Sequence, residues 1–264
     1  MPFTPTHVAA IIPVAFLGRR WFPFSALAIG AMVPDLPLYL PGALDYQVTH
    51  SPAGLVAICL PVGILCFLCF QLIMKRPLIA LLSLKLRQRL ATFDQPLFRP
   101  SLRFFAGVSG AILVGAATHL IWDSFTHQGR WGVRLIPELN LSILYIGGVE
   151  LRGYKLAQYG STILGLPAMA LLLVHWLGRR RRAPVTPPIM GTRLRRRLIC
   201  LLLVTTAGLS VVLTMNTEHA PSPSVHRLVG RAVRAMGFSL VMTSLVYCLA
   251  YQVLYRFNRS HALS

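Results

Sequence analysis

The sequence predicts an all-α chain, a polytopic bundle of about six membrane segments with a short helix before them. Three observations predict it. The 264 residues are 55% hydrophobic and only 12% charged, against about 25% charged in a soluble domain. The apolar residues gather in blocks close to the ~20 residues a helix needs to cross the hydrocarbon core. The Arg and Lys residues sit in short clusters between those blocks, the pattern that sets orientation in membrane proteins.

The elements follow in chain order. Residues 8–18 are too short to span and are expected to lie partly in the membrane as a short helix. Residues 24–40 are apolar, but Pro34, Asp35, Pro37 and Pro41 break their end, which predicts a kinked or half-embedded segment. Five clear spans follow at about 53–74, 105–122, 159–177, 198–215 and 235–256. The Pro- and Arg-rich stretch 178–197 divides a bundle over 1–177 from a C-terminal pair of helices over 198–264, and is expected to be a basic cytoplasmic linker.

The formal net charge is +19. In a soluble protein that balance points to nucleic acid. Here its distribution serves topology instead, so a lipid bilayer is the expected partner and nucleic acid is not. Arg19-Arg20, the run from Lys75 and Arg76 to Arg99 and Arg103, the block 179–197, and Arg256 with Arg259 are all placed in the cytoplasm. The six segments then alternate without conflict, although Arg227, Arg231 and Arg234 fall on the outer side. The same assignment puts Asp35, Asp45, Asp123, Glu138, Glu150 and Glu218 outside, with His50, His119, His127, His219 and His226; only Asp94 falls inside. One membrane face gathers nearly every group with acid/base or metal-binding chemistry. The chain shows no cleavable signal peptide. Its five cysteines lie in apolar blocks and form neither a disulfide framework nor a zinc ribbon.

The stretch "ATHLIWDSFTHQG", 117–129, carries the strongest site signal. His119, Asp123 and His127 are spaced i, i+4, i+8, which drifts only ~40° per step on a helix and keeps them on one stripe. Imidazole and carboxylate suit zinc, with manganese or iron as rivals. Gly129 is placed to end the helix, which would bring His127 to the site from the last turn or the following loop. Ionisable groups at membrane depth are costly and usually pair or serve a function. Three further segments add His7 in "FTPTH", Asp35 in "VPDLP" and His50 in "THS", where Thr49 or Ser51 is placed to cap the next helix.

Taken together, "MPFTPTH", "PD", "THS" and "HLIWDSFTHQG" resemble the bacterial DUF4184 membrane proteins. They are more distantly similar to the DUF457-type membrane-bound metal-dependent hydrolases. The ligand order is also similar to that of the zinc-dependent phospholipase C and S1/P1 nuclease superfamily. The resemblance covers residues 1–130 in motifs. It implies a bacterial inner membrane location and a metal set of His7, Asp35, His50, His119, Asp123 and His127. Asp35 would be the bridging or proton-accepting aspartate. The soluble enzymes add a later His-x-x-x-Glu and an N-terminal Trp, both missing here, so one or two divalent ions are expected, zinc first.

The expected function is metal-dependent hydrolysis of a phosphoester or related, lipid-like ester at the outer membrane–water interface. Ser124, Thr126, Arg130 and Arg152 flank the stripe as candidate phosphate contacts. An ion- or proton-coupled transporter and a non-catalytic module with a structural metal site are the alternatives.

Overall fold

The computed structural model describes all residues except 1–3, 19–20, 41, 98–100, 147–148, 186–189, 216–224 and 262–264. Arg19, Arg20, Arg99, Glu218 and His219 therefore lie outside the described residues, as do the side chains of His226, Arg227, Arg256 and Arg259.

The chain is an all-α membrane bundle. Its helices are α1 (His7–Ala10), α2 (Ile12–Leu17), α3 (Phe24–Met32), α4 (Leu36–Tyr39) and α5 (Tyr46–Thr49). The continuous run α6 (Pro52–Ala80) follows, then α7 (Leu84–Arg89), α8 (Leu102–Thr126) and α9 (Trp131–Leu135). After the strands β1 (Ser142–Ile146) and β2 (Val149–Arg152) come α10 (Gly153–Arg179), α11 (Thr192–Met215) and α12 (Val225–His261). Five helices are long and apolar enough to cross a membrane: α6, α8, α10, α11 and residues Leu228–Leu254 of α12. Phe24–Tyr39 is apolar but shorter. The helices outrun the apolar blocks at both ends because their polar first and last turns keep helical hydrogen bonding after the hydropathy has fallen.

The antiparallel β1–β2 hairpin is the only strand structure among the described residues. In the sequence, Gly147-Gly148 separates two β-prone runs, a recognisable hairpin signal.

Contacts divide the chain into two compact units. The first comprises residues 1–37, 42–67 and 99–179, and the second residues 38–41, 68–98 and 180–264. Within the first, α3 packs on α8 through small residues. A Cβ on Gly30 would meet the Ile112 backbone, and one on Gly115 would meet the Leu27 carbonyl. Ala26, Leu27, Ala31, Ala111, Ile112 and Ala116 fill the seam, all of them fully buried. Lipid supplies no hydrophobic drive between helices, so close backbone approach through small residues is what brings them together.

In the second unit α11 pairs with α12, with a 2.7 Å hydrogen bond between Thr206 and Thr243. Pro77 leaves the Ile73 carbonyl without its helical donor. The Gln252 amide supplies one to Ile73 at 3.0 Å and to Leu72 at 3.2 Å. Tyr247 donates to the Pro77 carbonyl at 3.0 Å. Residues 70–74 widen into a π-helical turn at this point, as helices do where the regular ladder is interrupted.

Candidate metal centre

Four chain segments of the first unit deliver the site. α3 ends in a 3₁₀ turn, Val33–Asp35, which Pro34 enforces. The turn carries Asp35 inward until it is fully buried. Its Oδ2 accepts a 2.7 Å hydrogen bond from the Thr4 hydroxyl. α5 is one short turn, capped by the Asp45 carboxylate, which accepts from the Gln47 and Val48 amides. His50 follows directly and is 6% exposed. Ser51 caps the start of α6 by accepting from the Gly54 N–H at 3.0 Å. Thr49 is fully buried and donates to the Pro34 carbonyl at 2.9 Å, which ties the His50 segment to the Asp35 turn. α8 carries His119 and Asp123, one turn apart and both buried. His7 opens α1 and is also buried.

The tautomers follow from the partners. His119 Nδ1 lies 2.8 Å from the Ala31 carbonyl, and His50 Nδ1 lies 3.0 Å from the Tyr46 carbonyl. A carbonyl only accepts, so each Nδ1 carries a proton and each Nε2 is the nitrogen left to bind an ion. Backbone carbonyls behind imidazoles are the usual support of metal ligands. The Tyr46 ring also stacks on His50, with centroids 3.8 Å apart.

Both Nε2 atoms face the same two carboxylates. His119 Nε2 is 3.5 Å from Asp35 Oδ1 and 3.5 Å from Asp123 Oδ2. His50 Nε2 is 3.5 Å from Asp35 Oδ1 and 3.6 Å from Asp123 Oδ2. The ligand atoms offered by these four residues lie within 4.8 Å of one another, a grouping able to hold a metal ion. Asp35 Oδ1, His50 Nε2, His119 Nε2 and Asp123 Oδ2 are all buried without a hydrogen-bond partner. Direct ion pairs would close to about 2.7–2.9 Å. Atoms arranged tetrahedrally around one ion at about 2.0–2.1 Å stand about 3.3 Å apart. The observed spacing fits an ion and is too long for hydrogen bonds. Four acceptors facing one another call for a cation between them.

His7 and His127 sit beside this group and are not part of it. His7 stacks on His119 with centroids 3.8 Å apart, and its Nε2 is 3.5 Å from Asp123 Oδ1. Neither His7 ring nitrogen has a hydrogen-bond partner. Burial, with His119 next to it, holds the His7 imidazole down at about 4 against the pull of Asp123 and Asp35, so it is neutral at pH 7. His127 caps the end of α8 in extended backbone. The helix stops at Thr126, and Gly129, with φ of +76°, turns the chain beyond it. His127 Nδ1 lies 3.2 Å from the Asp123 carbonyl, which puts its proton there. Its Nε2 accepts from the Gln158 amide at 3.2 Å, and Lys155 fixes that amide by donating to Gln158 Oε1 at 3.0 Å. His127 thus presents an N–H towards Asp123, and burial keeps the ring below the ordinary histidine range. For His50 burial is outweighed by the facing carboxylates of Asp123 and Asp35, which raise it.

The flanking polar residues separate by role. Ser124 donates to the Ile121 carbonyl at 2.6 Å and Thr126 to the Trp122 carbonyl at 3.3 Å, both within their own helix. Arg152 is engaged with Glu150 and Asn140 in the hairpin. Arg130 instead lines a cavity beside His127. Thr4, Gln158 and Lys155 hold or join the cluster without having been marked by the sequence. The two signals available were Thr4, which opens "TPTH" ahead of His7, and a polar pair, Lys155 and Gln158, one turn apart in an apolar helix.

The model of the family described as "Domain of unknown function (DUF4184)" matches residues 1–253. The chain belongs to the DUF4184 family. No curated protein and no solved structure matches this DUF4184 chain. The match runs through the second unit as well, so the family includes α11 and α12 beside the segments that carry the motifs.

Proposed function

We propose that this DUF4184 protein is a membrane-embedded, metal-dependent hydrolase of phosphoesters or related, lipid-like esters. One observation carries the reading: Asp35, His50, His119 and Asp123 converge four buried acceptor atoms that have no partner in the protein. A structural zinc site is usually closed by four ligands, often cysteines. All-nitrogen-and-oxygen ligation, with His7 and a polar cavity adjoining, favours a working site.

His50 and His119 would hold the ion through Nε2, Asp35 through Oδ1 and Asp123 through Oδ2. When bound, a zinc-like ion supplies an acidified water and polarises the ester oxygen. Asp35 is the proposed proton acceptor through Oδ1, the oxygen it would also offer the ion, while Thr4 holds Oδ2. Asp123 is better suited than Asp35 to bridge a second ion, because both its oxygens are unpartnered while Asp35 Oδ2 is taken by Thr4. His7 would then complete that second position through Nε2. Zinc is our first choice of metal, and manganese or iron would accept the same donors. The charge map favours a site at the outer interface, where a lipid head group enters from the side, and the inner-membrane location is what the resemblance implies.

The reading is tested by incubating metal-loaded, detergent-purified protein with phospholipid and acyl-ester vesicles and following the products by mass spectrometry. Hydrolysis that falls about 10²–10⁴-fold in Asp35→Asn supports it. Absence of turnover on every ester by a metal-replete protein counts against it.

A further inference from the structure

A cavity of about 540 Å³ adjoins the centre, lined by Tyr46, His127, Arg130, Tyr154 and Lys155 among others. Two cations and no carboxylate line it. Both cations are half-buried. The Arg130 guanidinium makes no ion pair or hydrogen bond among the described residues. Lys155 donates to Gln158 Oε1 at 3.0 Å and stands 5.7 Å from the Tyr154 ring centroid, but faces no acid among the described residues. The nearby acid of the hairpin, Glu150, is paired with Arg152. Two partly desolvated cations without counter-charge favour an incoming anion. The centre itself would not provide that attraction, since two carboxylates cancel one divalent ion. His127 joins the two places: it lines the cavity, and its Nδ1 lies 3.5 Å from Asp123 Oδ1.

We propose that this cavity is an anion subsite that binds the phosphate of the substrate, with Arg130 and Lys155 on the phosphate oxygens and the Tyr46 hydroxyl beside them. Arg130 supplies a planar pair of donors and Lys155 a point charge. The subsite selects phosphate-bearing esters over neutral carboxylic esters. This deepens the hydrolase reading and rests on it for the reaction, while phosphate binding stands on the cavity alone. The phosphate belongs either to a lipid head group or to a soluble phosphate ester.

The test is equilibrium dialysis of radiolabelled inorganic phosphate against the full detergent-purified chain, before and after chelation, with metal content measured alongside. The wild type is expected to bind phosphate in both states. Arg130→Gln/Lys155→Gln should bind roughly tenfold more weakly or worse, with metal content unchanged. Arg130→Lys/Lys155→Arg should keep binding. If the double Gln variant does not fold, the single Arg130→Gln carries the test, because that side chain has no described partner to lose. Phosphate bound equally by wild type and Gln variant overturns the subsite. So does binding that vanishes on chelation alone, which would put the anion on the metal. Wild type that carries no stoichiometric metal before chelation, with phosphate binding intact, sinks the hydrolase reading and leaves the subsite standing. Competition identifies the source: displacement by phosphatidic acid in mixed micelles assigns a lipid, and displacement only by glycerol 3-phosphate assigns a soluble ester. Displacement by neither overturns the proposal.

Discussion

His119 and Ala31 are joined by a 2.8 Å hydrogen bond across 88 residues of chain, from an imidazole Nδ1 on α8 to a backbone carbonyl on α3. This bond sets the tautomer that leaves Nε2 free to face Asp35 and Asp123. It exists because Gly30 and Gly115 let the two helix backbones approach closely.

That dependence predicts the effect of bulk in the seam. Gly115→Val places a branched side chain against the Leu27 carbonyl and the Ala31 amide. Overpacking of this kind costs about 1–3 kcal/mol. The variant should melt at lower temperature in detergent and retain less metal than wild type, although no ligand has been changed. Thermal melts beside metal analysis check both. Full metal retention would show that the α3–α8 spacing does not support the centre.

His127 and His119 lie at equal sequence distance from Asp123 and are predicted to behave differently. Gln158 and the Asp123 carbonyl hold the His127 proton on Nδ1, so it has no lone pair to offer the four-atom group. His127→Ala should keep the first ion, whereas His119→Ala should lose it. Metal content of the two single variants decides, and equal loss in both would mean that His127 rotates to ligate.

Metal affinity should depend on pH with a definite sign. His50, without the ion, is raised above the ordinary histidine value by Asp123 and Asp35. Its proton must leave before Nε2 can bind, so affinity rises with pH through the neutral range. One displaced proton gives a slope of about tenfold per pH unit below the His50 pKa. Titration of zinc at several pH values checks this. A flat profile between mild acid and neutrality would mean that His50 is not a ligand.

Thr4 should act through Asp35. Thr4→Val removes the 2.7 Å hydrogen bond to Oδ2 while keeping the shape of the side chain. Such outer partners are worth about 10–100-fold in metal affinity or activity. Thr4→Ser, which retains the hydroxyl, should recover most of the loss, and chelator competition measures both. Equal affinity in all three proteins would remove Thr4 from the account.

The spans were legible because hydropathy and charge clusters act over windows of about twenty residues. Asp35, His50, His119 and Asp123 were legible as single polar groups in apolar surroundings. Their grouping came from the family resemblance and not from spacing, since it depends on a 3₁₀ turn at Pro34 and on a helix seam between residues far apart in sequence. The role of His127 was hidden for a different reason. Its i+4 spacing from Asp123 matches that of His119, but α8 ends at Thr126 and Gln158 takes the other nitrogen. Gln158 went unmarked because its partner His127 comes from the end of another helix, and Lys155 because it acts through Gln158.

The most direct measurement is metal analysis of detergent-purified wild type beside the His119→Ala/Asp123→Ala double variant. The account predicts at least one divalent ion per wild-type chain and none above background in the variant, with both proteins folded by circular dichroism. Wild type free of stoichiometric metal, or equal metal in both proteins, would contradict it.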